Sequence, residues 1–182
     1  MSLLIIIAIL AVILMWFVGV QRKLVGQEEL VKNSMSQIGV QQQSRWDAIV
    51  TLVDLVKSYN EHEYNTLRDI IAMRKEITGN STSEDADAQE AAMSNVIKQL
   101  KVVVEQYPDL KANENYGKTM DSVNLYENQV RMSRMVYNDT VTKYNRIVRQ
   151  FPDSFVASLL HFETREYLKD VAEKADMPKI NI

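Results

Sequence analysis

Leu3 to Val20 is an unbroken apolar run of 18 residues, LLIIIAILAVILMWFVGV. As a helix rising 1.5 Å per residue it reaches about 27 Å, close to the ~30 Å of a bilayer's hydrocarbon core. No basic stretch precedes the run, and VGVQRK has no small-residue cleavage pattern, so it reads as an uncleaved single-pass anchor rather than a signal peptide. Trp16 and Phe17 stand near its end, where interfacial aromatics sit, and Arg22 and Lys23 come directly after it. No Lys or Arg precedes the run, so the positive-inside rule expects the C-terminal bulk in the cytoplasm. Trp16, Arg22 and Lys23 are the expected membrane-flanking residues.

The chain beyond the anchor is hydrophilic: the whole protein carries −3, and without Arg22 and Lys23 the remainder carries −5. That balance disfavours a nucleic-acid binder driven by bulk positive charge. Only five of 182 residues are Gly and three are Pro, too few for the tight turns of a sandwich, barrel or Rossmann fold. The five glycines also leave no material for a phosphate-cradling loop. Cysteine is absent, which removes disulfides, thiolate metal sites and cysteine nucleophiles.

The expected fold is all-α: an N-terminal transmembrane helix (1–23), a polar stalk (24–44), an antiparallel bundle of three long helices plus a short fourth (45–170), and a tail (171–182). Helix one is read from Trp46, Ile49, Val53 and Val56 through Leu67, Ile70 and Ile77, with Gly79-Asn80 as its stop. Ser81 and Glu84 fit an S-x-x-E capping box for helix two, which ends at Tyr107-Pro108. Glu84, Asp85, Asp87 and Glu90 load the start of that helix with negative charge, which favours its dipole. Helix three, from about Asn113, has the longest seam: Tyr116, Met120, Val123, Glu127, Val130, Arg134, Tyr137, Val141, Tyr144, Val148 and Phe151. Pro152 stops it, and Val156, Leu159 and Leu160 mark the short fourth helix.

The run YPDLKANENY (107–116), Glu127-Asn128, Arg134, Tyr137-Asn138, Tyr144-Asn145, Phe151-Pro152 and Ala157 resemble the LemA family, as do Arg45-x-Asp47, Val56-Lys57 and His62-Glu63 upstream. The resemblance spans roughly residues 40–168. The chain departs from the family pattern at Val50-Thr51, where Pro-Asn is usual, and at Leu168, where Phe is frequent. The resemblance implies a membrane-anchored, all-helical protein of the bacterial inner membrane, with links to envelope maintenance and internal membrane formation.

Two seam positions of helix three are charged. With three helices alternating in direction, Glu127 and Arg134 fall near His62 and Glu63, so His62, Glu63, Glu127 and Arg134 are expected to form a buried polar layer with Glu63 paired to Arg134. Arg suits this role because its planar fork takes a carboxylate through two hydrogen bonds. Such a layer fixes packing register at some cost in stability. His62 and His161 lack the spacing of an ExxH or HExxH ligand set, so no metal or other cofactor is expected. The Tyr-Asn pair repeats after seven residues, with Tyr filling core layers and Asn placed to bridge to a neighbouring helix. Arg131, Arg134, Lys143, Arg146 and Arg149 make the end of helix three basic; a lipid-headgroup patch is one reading, but chain direction sets this end far from the anchor.

No nucleophile elbow or Ser-His-Asp order is present. The function expected is that of a non-enzymatic, membrane-anchored helical scaffold or interaction protein, self-associating through helix packing. The alternative is a helical bundle that binds a lipid or small apolar ligand at the membrane. The expected partners are the lipid bilayer, further copies of the chain and proteins the sequence does not name, and not nucleic acid.

Overall fold

The computed structural model describes residues 1–169, so the tail from 171 lies outside the described residues. The chain is all-helical. Helix α1 runs without a break from Ser2 to Val56, 55 residues that join the apolar run, the stalk and the first bundle helix. Neither Gly26 nor Gly39 interrupts it, and it contains no proline. At 1.5 Å per residue it is about 80 Å long, far more than a bilayer needs.

Helix one of the sequence pattern does not reach Ile77. It ends at Val56, and Asn60 starts α2 (Glu61–Ala72) by accepting hydrogen bonds from the backbone N–H groups of His62 and Glu63. The apolar seam skips from Val56 to Leu67, and that gap, with an Asn cap and Glu61 and Glu63 in the first turn, is the local signal of the reversal. From α2 the chain runs back along α1 in extended form. Gly79 has no positive φ; its value lies in close approach, since a Cβ there would stand 2.9 Å from the Lys32 carbonyl oxygen.

The next helix, α3 (Ser83–Gln106), starts with a capping box made by Thr82 and Asp85, one residue beyond the expected Ser81 and Glu84. The two hydrogen bonds from Thr82 hold the Asp85 carboxyl below the usual carboxylate range. Helix α3 runs parallel to α1: Arg45 meets Glu90 at one level, and the Asn60 amide donates to the Tyr107 hydroxyl, 2.6 Å away, at the next. Pro108 opens the single turn α4 (Pro108–Lys111), and Asn113 caps α5 (Glu114–Arg149).

Helix α5 is antiparallel to α1 along most of its length. Arg45 meets Glu127 near the middle, and Lys23 meets Asp153 just past the end of α5. Among the described residues, three apolar clusters stack along the pair. Trp46 to Val56 meet α3 and Val123; Val31, Met35 and Ile38 meet Tyr137, Val141 and Tyr144; Val20 and Leu24 meet Ile147, Val156 and Ala157. The last cluster includes α6 (Asp153–Leu159).

Candidate functional site

The buried charge of the bundle gathers at mid-length, where α1, α3 and α5 meet. Arg45 is 2% exposed. Its guanidinium donates to Glu90 Oε1 at 2.9 Å and to Glu127 Oε2 at 3.4 Å. About one turn away along α3, Arg134 is 6% exposed and donates to Asp87 Oδ1 at 2.6 Å and to the Lys169 carbonyl at 2.7 Å. The other Asp87 oxygen accepts the Lys169 backbone N–H. Each buried guanidinium is thus neutralised by carboxylates on a neighbouring helix, the arrangement that makes burying it tolerable.

Of the four residues expected in a polar layer, Glu127 and Arg134 lie at this level, and His62 and Glu63 do not. His62 is exposed and Glu63 half-buried in the first turn of α2, and neither carries a side-chain ion pair with α5 among the described residues. The expected Glu63–Arg134 pair does not form. The reversal at 57–60 is the cause: it adds one turn to the topology and inverts the direction of α5, so Glu127 faces residue 45 rather than residues near 58. The carboxylates that meet the arginines, Asp87 and Glu90, belong to the acidic group at the start of α3 that the sequence pattern assigns only to the helix dipole. Their spacing, three apart on one helical face, is the signal that distinguishes them.

A cleft of about 530 Å³ opens beside these pairs between α3 and α5. Arg45, Glu90, Lys98, Lys101, Glu127 and Arg134 line it, with Ile97 and Val130 as apolar patches. Arg45 Nε, Glu90 Oε2 and Arg134 Nη1 are buried and have no hydrogen-bond partner among the described residues. The cleft therefore suits water or a polar ligand; its charged lining does not suit an apolar one. Among the described residues no group of three His, Asp or Glu side chains is placed to hold a metal ion.

A second arrangement lies where α5 faces α1 and the start of α3, with Leu168 buried among Val31, Met35, Ile38, Ala86 and Tyr137. His161 has φ 59°, and its N–H and that of Phe162 close the end of α6 onto the Ser158 and Ala157 carbonyls. The chain then runs as an extended strap along α5. Asn145 donates to the Arg165 carbonyl and accepts the Arg165 N–H; Asn138 does the same with Leu168. Seven helical residues span about 10.5 Å, and three extended residues about 10 Å. The heptad spacing of Asn138 and Asn145 therefore matches backbone sites three residues apart on the strap. These asparagines bridge to an extended segment, not to a helix. Their tyrosine neighbours face inward, and burial pushes the Tyr137 and Tyr144 phenols up from the ordinary value.

Comparisons with known proteins show the family. The family model described as LemA family matches residues 34–182. Protein LemA of Metamycoplasma hominis is 24% identical over 145 residues, 79% of this chain and 66% of that protein. Magnetosome protein MamQ 2 of Paramagnetospirillum magneticum is 27% identical over 81 residues, 44% of this chain and 30% of that protein. Magnetosome protein MamQ of Magnetospirillum gryphiswaldense is 25% identical over the same length. The chain thus spans just under two thirds of the first relative and under a third of the magnetosome proteins. Helix α1 is long and apolar enough to cross a membrane, which fits a membrane-anchored protein. With the family model matching well over half its length, the chain belongs to the LemA family.

Proposed function

We propose that this protein is a non-enzymatic scaffold of the bacterial inner membrane, held by one span, with its bundle in the cytoplasm and self-associating through the bundle's flank. The observation that carries the reading is an apolar flank that the described residues leave open. Leu125, Met132 and Val136 recur at seven- and four-residue steps on α5, all exposed, and exposed Leu30 of α1 shares a groove with Val136. Unbranched Met adapts to a partner's shape, which suits helix-to-helix association. The relation to proteins named for the magnetosome supports a role in organising membrane.

The test is the mass of the detergent-solubilised full chain by light scattering. An oligomer that Met132→Glu with Val136→Glu dissociates is the expected result; a monomer at every concentration rejects the scaffold. Orientation is read by an impermeant thiol reagent on intact cells. Exposed Met73→Cys is expected to stay unlabelled, and labelling would place the bundle outside.

The alternative, ligand binding within the bundle, is favoured by the cleft and its unpartnered polar atoms. Its lining shifts that reading from an apolar ligand to a polar one.

A further inference from the structure

The antiparallel course of α5 brings the basic end of this helix to the membrane side of the bundle, the reverse of what three alternating helices would give. How close it comes is set by Val20. This residue belongs to the apolar run, yet it is 5% exposed because Val156 and Ala157 of α6 pack on it. Phe17, almost one turn deeper in the run, packs against the same cluster. Helix α6 is therefore stacked on the last turn of the span itself. A run of about 27 Å has no length to spare across a ~30 Å hydrocarbon core, so the level of Val20 is the boundary of the bilayer.

The surface at this level is not one adapted to water. Phe151 is 83% exposed, Phe155 64% and Leu159 57%. Phe155 and Leu159 stand one helical turn apart, away from the buried Val156 and Ala157. Cations stand at the same level. Arg146 and Arg149 are exposed in the last turn of α5, Arg22 is exposed on the face of α1 turned away from α6, and none of the three has an ion-pair partner among the described residues. The acidic groups nearby are mostly engaged: Asp153 holds Lys23 at 2.8 Å and Glu28 holds Arg165 at 2.6 Å, leaving Glu163 exposed. Exposed apolar side chains with unpaired arginines at the same level are the composition of an interfacial membrane-binding element.

We propose that α6 and the last turn of α5 form a foot that seats the bundle on the bilayer. Phe151, Phe155 and Leu159 enter the headgroup–acyl boundary, and Arg22, Arg146 and Arg149 take the headgroups of anionic phospholipids. The proposal rests on α1 being a transmembrane span. Its consequence is a second attachment point, which fixes the tilt of a bundle that a single helix would leave free to rock.

The chain has no cysteine among its residues, so single spin labels can be placed in the full-length protein reconstituted in nanodiscs. A label at Ser158→Cys sits between Phe155 and Leu159 and leaves both intact. Labels at Val12→Cys in the run and Met73→Cys on the far bundle are the references. The ratio of oxygen to nickel-chelate accessibility reads depth. The expected ratio at 158 exceeds that at 73 by at least about threefold in phosphatidylcholine–phosphatidylglycerol discs, as for interfacial insertion. It falls toward that at 73 on Phe155→Ser with Leu159→Ser. It also falls on Arg146→Gln with Arg149→Gln, and in discs of phosphatidylcholine alone. A label at 12 buried in lipid with a label at 158 as aqueous as that at 73 overturns the foot while the span stands. An aqueous label at 12 overturns the span and the foot with it. Insertion at 158 that ignores both lipid charge and the arginine substitutions overturns the headgroup assignment.

Discussion

Lys23 Nζ lies 2.8 Å from Asp153 Oδ2, joining positions 130 residues apart at the foot of the bundle. The first turn of α6 therefore meets α1 just past the end of the apolar run. A chain carrying Lys23→Cys and Asp153→Cys is expected to form an intramolecular cross-link with a short bis-maleimide, read as a shift in gel mobility. The pair Ser58→Cys and Phe151→Cys, at opposite ends of the antiparallel helices, is expected to give none.

Arg134 is tied to Asp87, not to Glu63, and the difference is measurable. Arg134→Met leaves the Asp87 carboxylate largely buried without its cation and is expected to cost about 3–5 kcal/mol in urea unfolding. A double-mutant cycle with Asp87→Asn is expected to show strong coupling. The same cycle with Glu63→Gln is expected to be additive.

Two amides each take two backbone hydrogen bonds of the strap, beside the contacts of Arg134, Asp87, Tyr137 and Glu28. Asn145→Ala removes two hydrogen bonds to Arg165, and Asn138→Ala two to Leu168. Each substitution is expected to cost about 1–3 kcal/mol. Trypsin cleavage after Arg165 and Lys169 should quicken in both variants before global stability falls enough to explain it.

Two glycines of α1 give opposite outcomes for the same change. A Cβ at Gly39 would run into the Ile77 carbonyl, a backbone group that cannot swing aside, whereas nothing lies within 4 Å of one at Gly26. Gly26→Ala is expected to stabilise by about 0.5–1 kcal/mol through helix propensity alone. Gly39→Ala is expected to destabilise by about 1–3 kcal/mol, as overpacking does. Denaturation midpoints of the two variants decide it.

Burial raises the Tyr116, Tyr137 and Tyr144 phenols, so the folded chain keeps protons that the unfolded chain has lost above its ordinary tyrosine value of 10.0. The unfolded state then binds fewer protons, and stability falls as pH rises past about 10. Tyr137→Phe with Tyr144→Phe is expected to flatten that fall, read as the change in urea midpoint between neutral and alkaline buffer.

Much of the fold is legible locally. The span is marked by length and hydropathy, and Pro108 and Pro152 mark real chain reversals because the residue before a proline avoids helical angles. The seam of α5 holds at Val123, Val130, Arg134, Tyr137, Val141 and Tyr144, all buried. It fails at Phe151, which the pattern places in the core and which stands exposed at the foot. The pattern overextends helix one because Leu67, Ile70 and Ile77 keep an apolar period on a separate segment that packs back onto the same core.

That one reversal separates what sequence alone determines here from what it leaves to the tertiary structure. Periodicity, caps and prolines act within a turn or two of helix, so the all-helical class, the anchor and the identity of Glu127 and Arg134 as seam charges come from the residues themselves. Direction is different in kind. Each reversal inverts every element after it, so a single turn at 57–60 decides that α5 descends toward the membrane, that Arg134 meets Asp87, and that Arg146 and Arg149 stand beside the bilayer rather than far from it. Those pairings join residues 47 to 130 positions apart. They are settled by which apolar faces can be buried together, a choice made by the whole chain and by no short stretch of it.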